Sequence, residues 1–124
     1  MSETKTILLI EDDPDIVAVT TNLLKKARYD VAMAATGQEG LDAAAKVKPD
    51  LILIDLGLPD ITGEEVCRRL RTDPALKNIP IIIFTARYLD EVADQELALP
   101  VEDYIAKPYE PRELLAKIKK YLPE

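Results

Sequence analysis

Four short apolar runs in this 124-residue chain end in side chains that can do chemistry. Ile7-Leu8-Leu9-Ile10 leads into Glu11-Asp12-Asp13, and Leu51-Ile52-Leu53-Ile54 leads into Asp55. Ile81-Ile82-Ile83-Phe84 is followed by Thr85, and Asp103-Tyr104-Ile105-Ala106 by Lys107-Pro108. The chain has no histidine, which excludes histidine-based triads, histidine-ligated metals and a phosphohistidine carrier. Its one cysteine, Cys67, excludes an internal disulfide and a cysteine metal cluster, and reads as a buried structural thiol. Carboxylates, hydroxyls and lysine must carry the chemistry.

Bringing those acids together is costly. At an effective dielectric near 20, two like charges 4 Å apart repel by about 4 kcal/mol, so either one acid is protonated or a divalent cation binds. Mg2+ takes oxygen ligands, uses one or two carboxylates and leaves positions for water and phosphate oxygens. Lys107 supplies a counter-charge and Thr85 a hydroxyl. The set describes a pocket for a dianionic phosphoryl group beside a metal. A carboxylate can itself attack phosphorus to form an acyl phosphate, with positioning and charge neutralisation as the protein's contribution. Asp55, ending a central apolar strand, is the candidate nucleophile.

The elements that must position these residues alternate five times between strand and helix. The first, third and fourth apolar runs lack polar alternation, as parallel strands buried on both faces do. Asp13-Pro14 opens the first helix with an N-cap and a proline at the first position, and Ile16, Thr20, Leu23, Leu24 and Ala27 form its inward stripe. Val31 and Met33, with Tyr29 before them, mark a weaker second strand. Gly37 opens a second helix with Leu41, Ala44, Ala45 and Val47 facing inward, stopped at Lys48-Pro49. A loop from Leu56 to Thr62 precedes a third helix carrying Val66, Cys67 and Leu70. Leu89, Val92, Ala93 and Leu97 mark a fourth helix ending by Pro100. Pro111 opens the last, with Leu114, Leu115, Ile118, Tyr121 and Leu122. Five such units predict an α/β fold: one doubly wound, five-stranded parallel sheet, (βα)5, flavodoxin-like, with helices on both faces. Ligands of such sheets bind outside the carboxyl ends of the strands, where strand order reverses.

Composition narrows the partners. Hydrophobic residues make up 48% and charged residues 31%, with a net charge of −7; this is a globular composition, and the acidic balance argues against direct contact with nucleic acid or anionic membrane. Arg68, Arg69 and Arg71 lie among Glu64, Glu65 and Asp73 as a solvated helix face. No apolar run approaches the roughly 20 residues that span a bilayer, and the polar N-terminus is unlike a secretion signal, so a cytoplasmic location is expected. Residues 1–124 read as one unit without a linker to a second domain.

In these pieces the chain resembles, over essentially its full length, a receiver domain of bacterial two-component response regulators, the CheY-like superfamily. The matching residues are Glu11-Asp12-Asp13, then Asp55-Leu56-Gly57-Leu58-Pro59-Asp60 with Gly63, then Thr85-Ala86, then Asp103-Tyr104-Ile105 with Lys107-Pro108. The resemblance implies that Asp55 accepts a phosphoryl group from a phosphohistidine on a histidine kinase or histidine phosphotransfer protein. It implies Mg2+, with Mn2+ as a substitute, held by Asp12, Asp55 and the Gly57 carbonyl, with Glu11 acting through water. Thr85, Lys107 and the Ala86 backbone would contact phosphoryl oxygens, Thr85 and Tyr104 would form a switch pair, and Lys107-Pro108 would be cis. The first helix, near Val17 and Val19, would dock the donor, and the signal would pass to a protein target. Asp13 is read as a helix cap.

Leu99-Pro100-Val101-Glu102 departs from the small residues common there in the family and predicts a short or irregular fourth helix. Two other readings compete. An aspartate-nucleophile phosphatase wants a second acid two residues after the nucleophile, where Gly57 stands. A receiver-like binding module that is never phosphorylated does not need the full set of Glu11, Asp12, Asp55, Thr85 and Lys107. The chain is not expected to be an enzyme beyond its own phosphorylation and dephosphorylation. Arg87, two residues past Thr85, is expected either to cover the phosphate or to leave it open to water.

Overall fold

The computed structural model describes residues 4–85 and 101–123. Five strands, β1 (Thr6–Ile10), β2 (Asp30–Ala34), β3 (Leu51–Ile54), β4 (Ile81–Thr85) and β5 (Asp103–Ala106), form one parallel sheet in the order β2-β1-β3-β4-β5. The described helices are α1 (Pro14–Lys26), α2 (Gly37–Val47), α3 (Gly63–Thr72) and α4 (Pro111–Tyr121). The helix expected at Leu89–Leu97 lies outside the described residues. Strand order reverses between β1 and β3, which therefore flank the switch point.

The two faces of the sheet carry separate cores, because successive side chains of a strand point to opposite faces. On one face Leu8, Ile10, Ile52, Ile54, Ile81 and Ile83 meet Ala44 of α2 and Val66, Cys67 and Leu70 of α3. On the other, Ile7, Leu9, Leu51, Leu53, Ile82 and Phe84 meet Leu24 of α1 and Leu114 and Ile118 of α4. Each fully buried aliphatic side chain contributes about 1.5–3 kcal/mol, which is why the unbroken apolar runs sit at the centre.

The helix starts follow the sequence signals. The Asp13 carboxylate accepts from the Asp15 and Ile16 amides and Pro14 takes the first helical position. Thr36 and Thr62 cap α2 and α3, accepting from Glu39 and Glu65. One expectation fails in α2: Ala45 and Val47 are exposed, and Gly37, Gly40 and Ala44 are the buried residues, with Leu41 half-buried. The inward stripe is offset because Gly40 lets α2 lie directly on Ile10, whose side chain stands 2.6 Å from where a Cβ would be. Cys67 is buried as expected, and burial pushes its thiol up to about 12.

At the amino end of the sheet, polar groups tie β5 down. Arg71 of α3 donates to the carbonyls of Lys77 (2.8 Å) and Ile79 (2.7 Å) and pairs with Glu102, whose carboxylate also accepts from the Ile81 amide at 2.7 Å. Tyr121 donates to the Glu102 carbonyl at 2.9 Å, and Lys117 pairs with Asp103 at 3.1 Å. Arg71, read as part of a solvated face, instead clamps three chain segments.

Gly63 is the glycine on which the backbone path depends. A Cβ there would stand 2.5 Å from the Asp55 carbonyl oxygen and 2.7 Å from the Leu56 Cα, backbone atoms that cannot swing aside. Gly63→Ala is expected to destabilise the fold by about 1–3 kcal/mol, as overpacking does, read as a lower urea midpoint at unchanged slope. Gly40→Ala, whose methyl meets only side-chain atoms and gains helix propensity, is expected to cost less.

Candidate functional site

Register delivers the chemical residues to one sheet edge. Ile10 lies opposite Ile54, so Glu11 and Asp55 leave adjacent strands side by side. The Asp55 amide still donates to the Ile10 carbonyl (3.0 Å) and the Glu11 amide to that of Ala34 (2.9 Å). Thr85 pairs with Ala106, and the Lys107 amide donates to the Thr85 carbonyl at 2.8 Å. Each side chain thus begins from backbone fixed by the ladder.

Carboxylate oxygens of Glu11, Asp12 and Asp55 lie within 4.8 Å of one another. Glu11 is 1% exposed and Asp55 9%, whereas Asp12 faces solvent. Glu11 is held twice over. One oxygen accepts from the amides of Asp12 (2.9 Å) and Asp13 (3.1 Å), and the other receives the Lys107 ammonium. Burial raises the Glu11 carboxyl above its ordinary range, and the Lys107 hydrogen bond and the Asp13 amide pull it back. The same ammonium stands 3.3 Å from the nearer Asp55 oxygen.

Lys107 reaches that position across Phe84, its nitrogen 4.6 Å from the ring centroid. A cation over a ring face gains about 0.5–2 kcal/mol, so the ring is both a guide and a partial counter-charge. The Lys107-Pro108 peptide is cis, as the resemblance implies. Gly57 lies against Asp55; a Cβ there would meet an Asp55 carboxylate oxygen at 3.6 Å. Thr85 is buried at the end of β4. Tyr104 is half-buried and packs on the α2–α3 side core, and burial raises its hydroxyl. Asp13 spends its carboxylate on the α1 cap, as expected. Ala86 and Arg87 lie outside the described residues.

The contacts of three residues around the site are not announced by the sequence. Phe84 is the one aromatic in an aliphatic run, a signal that its ring has a particular neighbour. Tyr109, just past Lys107-Pro108, shares a 2.6 Å hydrogen bond with Thr20 of α1. Asp60, in the β3–α3 loop, accepts from the amides of Gly37 (2.7 Å) and Gln38 (2.9 Å). An aspartate after a proline in a turn is a ready acceptor for backbone N–H groups, although its target is distant in sequence. Asp60 therefore satisfies amides at the start of α2 that the helix cannot, and fixes the loop that carries Gly57.

The donor set is all oxygen and mostly anionic, which suits a hard divalent cation; the cluster fits a Mg2+ site. The family described as the response regulator receiver domain matches residues 7–119, and the chain belongs to that family. It is 40% identical to the alkaline phosphatase synthesis transcriptional regulatory protein PhoP of Bacillus subtilis, covering 95% of this chain and 48% of that protein. It is 36% identical to the DNA-binding response regulator MtrA of Mycolicibacterium smegmatis, covering 91% and 48%. The chain therefore spans about half the length of these curated relatives. Among solved structures it is similar to the receiver domain of sensor histidine kinase PA1611 from Pseudomonas aeruginosa, solved with a magnesium ion in its active-site cleft (TM-score 0.90, 30% identity, 98% of this chain and 100% of that one). It is also similar to a CheY-like receiver domain protein from Methanospirillum hungatei (TM-score 0.88, 33% identity, 97% and 94%).

The names of those relatives narrow one expectation. MtrA is described as DNA-binding, so the acidic balance speaks only for the 124 residues in hand, and nucleic acid is not excluded as a partner of the kind of protein to which they are related. Among the described residues no helix is long and apolar enough to cross a membrane.

The Asp60 contact carries a pH signature. The Gln38 amide first, with those of Gly37 and Ile61, holds its carboxyl at about 2, below the ordinary 3.8. A carboxyl depressed on folding stabilises the fold above its unfolded value and loses that contribution as pH falls through its folded one. The difference in urea midpoint between the native chain and Asp60→Ala is thus expected to be full at neutral pH and to shrink as pH falls from 3.8 toward about 2. A gap that holds constant across that range would remove the carboxylate from the capping role.

Proposed function

We propose that Asp55 is the phosphoacceptor of this receiver domain. The observation that carries the reading is the Asp55 carboxylate at the switch point of the sheet, 3.3 Å from the Lys107 ammonium and clustered with Glu11 and Asp12. An Asp55 oxygen attacks the phosphorus of a phosphohistidine on a histidine kinase or phosphotransfer protein. The P–O bond forms as the P–N bond breaks, and the imidazole leaves with the electron pair and takes up a proton. Lys107 turns from Asp55 toward a phosphoryl oxygen, and Thr85 with the Ala86 amide supplies further donors.

Asp12, Asp55 and the Gly57 carbonyl would hold Mg2+, or Mn2+ in its place, with Glu11 acting through water. The ion supplies neutralisation of charge on the phosphoryl oxygens. Gly57 places no acid beside Asp55 to protonate a leaving group, which favours a single transfer over phosphatase turnover. Phosphorylation then shifts the population toward a state in which the Thr85 hydroxyl follows the phosphate and Tyr104 turns inward, read by a protein target in the cytoplasm. Where such a chain is joined to a DNA-binding part, that part is the reader.

Titration with beryllofluoride, a phosphoryl mimic, in saturating Mg2+ tests the reading. Backbone amide resonances near Thr85 and Tyr104 are expected to shift in the native chain and to stay put in Asp55→Asn. An identical response in both chains would sink it.

A further inference from the structure

Thr20 is a hydroxyl in an otherwise apolar stripe of α1. It is 1% exposed, while Leu24 one turn on is buried carbon. Its oxygen lies 2.6 Å from the Tyr109 hydroxyl, 89 residues away in sequence, and either group can donate. The Tyr109 ring packs at the rim of the α1–α4 side core, alongside Ile16, Val17 and Leu23. For packing alone, valine and phenylalanine would serve. The Thr20 hydroxyl, on a buried residue, is retained at no penalty only if it finds a partner, since an unmet buried hydroxyl costs about 1–3 kcal/mol, and the half-buried Tyr109 supplies one. The contact is therefore directional, fixing a length and an angle where an apolar contact would fix neither.

What it joins is specific. α1 begins at Pro14, immediately after the acidic turn whose Glu11 and Asp12 side chains line the site. Tyr109 follows Lys107-Pro108 directly. The Lys107 amide is anchored to the Thr85 carbonyl on the strand side, and its side chain is guided by Phe84. Past the proline, a 2.6 Å hydrogen bond ties this loop to α1.

We infer that Thr20 and Tyr109 are positioning residues for Lys107, setting the span between the acidic turn and the ammonium so that it can reach a phosphoryl oxygen on Asp55. The inference rests on the phosphoacceptor reading above. It concerns the ammonium and not the metal ligands, so the two affinities should separate.

The test compares native chain, Thr20→Val, Tyr109→Phe, the double variant and Thr20→Ser, following Mg2+ alone and then beryllofluoride at saturating Mg2+. Thr20→Val and Tyr109→Phe are each expected to bind beryllofluoride roughly fivefold more weakly, the size of one net hydrogen bond, with no fall in Mg2+ affinity. The double variant should lose no more than either single one, since both remove the same contact, and Thr20→Ser should retain native affinity. Beryllofluoride affinity unchanged in both single variants, losses that add in the double variant, or an equal fall in Mg2+ affinity would each overturn the inference while leaving Asp55 as acceptor. A native chain that binds no beryllofluoride overturns the phosphoacceptor reading itself, and the positioning role with it.

Discussion

Three carboxylates gathered at the ends of two neighbouring strands repel one another, and among the described residues the Lys107 ammonium is the positive charge set among them. Two acids share it, one of them buried with no solvent to relieve it. Removing one partner from a buried pair is costly, because the other charge is left without compensation. Much of the architecture can be understood as holding that nitrogen in place: the β4–β5 register that delivers its backbone, the Phe84 ring over which it stands, and the two amides that occupy the far side of Glu11. The neutralisation is also incomplete. Counted as ionised and among the described residues, three carboxylates against one ammonium leave a surplus of two negative charges, the amount a divalent ion removes.

That incomplete balance links stability to chemistry. A pocket fully neutralised by its own side chains would have no call on a metal, and one without the lysine would resist closing around the acids. The ammonium also cannot serve Glu11, Asp55 and an incoming phosphoryl group equally well. Its present partners are carboxylates of lower charge than a phosphoryl dianion, so on the proposed reading a change of partner is electrostatically downhill.

The fold and the chemical inventory were legible in the sequence because they depend on local pattern. Unbroken apolar runs such as Ile81–Phe84 can only be buried strands, and polar residues directly after them must emerge at one edge. Asp13 and Pro14 announced a helix start by residue type alone. What the pattern could not show are contacts made across long sequence separations. Asp60 was legible as a turn residue but not as the acceptor for α2. Tyr109 carries no local signal, and nothing near it in sequence pairs it with Thr20. In α2, apolar character points inward at Ala45 and Val47, yet both face solvent. There the close approach to Ile10 is made by glycine, which hydropathy does not mark. Arg71 was misjudged for a related reason: a charge among charges on a helix reads as solvated, while its guanidinium reaches carbonyls beyond the helix end.

The clamp at Arg71, Glu102 and Tyr121 has a mechanical meaning. β5 is an edge strand, bonded along one side only, and its entry is bolted to α3, β4 and α4. Its exit carries Lys107, whose hold on the pocket is electrostatic and exchangeable. Between the two ends the strand is laddered to β4 along its whole length, from Asp103 opposite Ile82 to Ala106 opposite Thr85, and the Lys107 amide continues the ladder, so the exchangeable element is the lysine side chain and not the strand. Tyr104 lies beside the bolted entry, on backbone that clamp and ladder both hold, so on the proposed reading any response there is a rotation of the ring about its own bonds and not a shift of the strand.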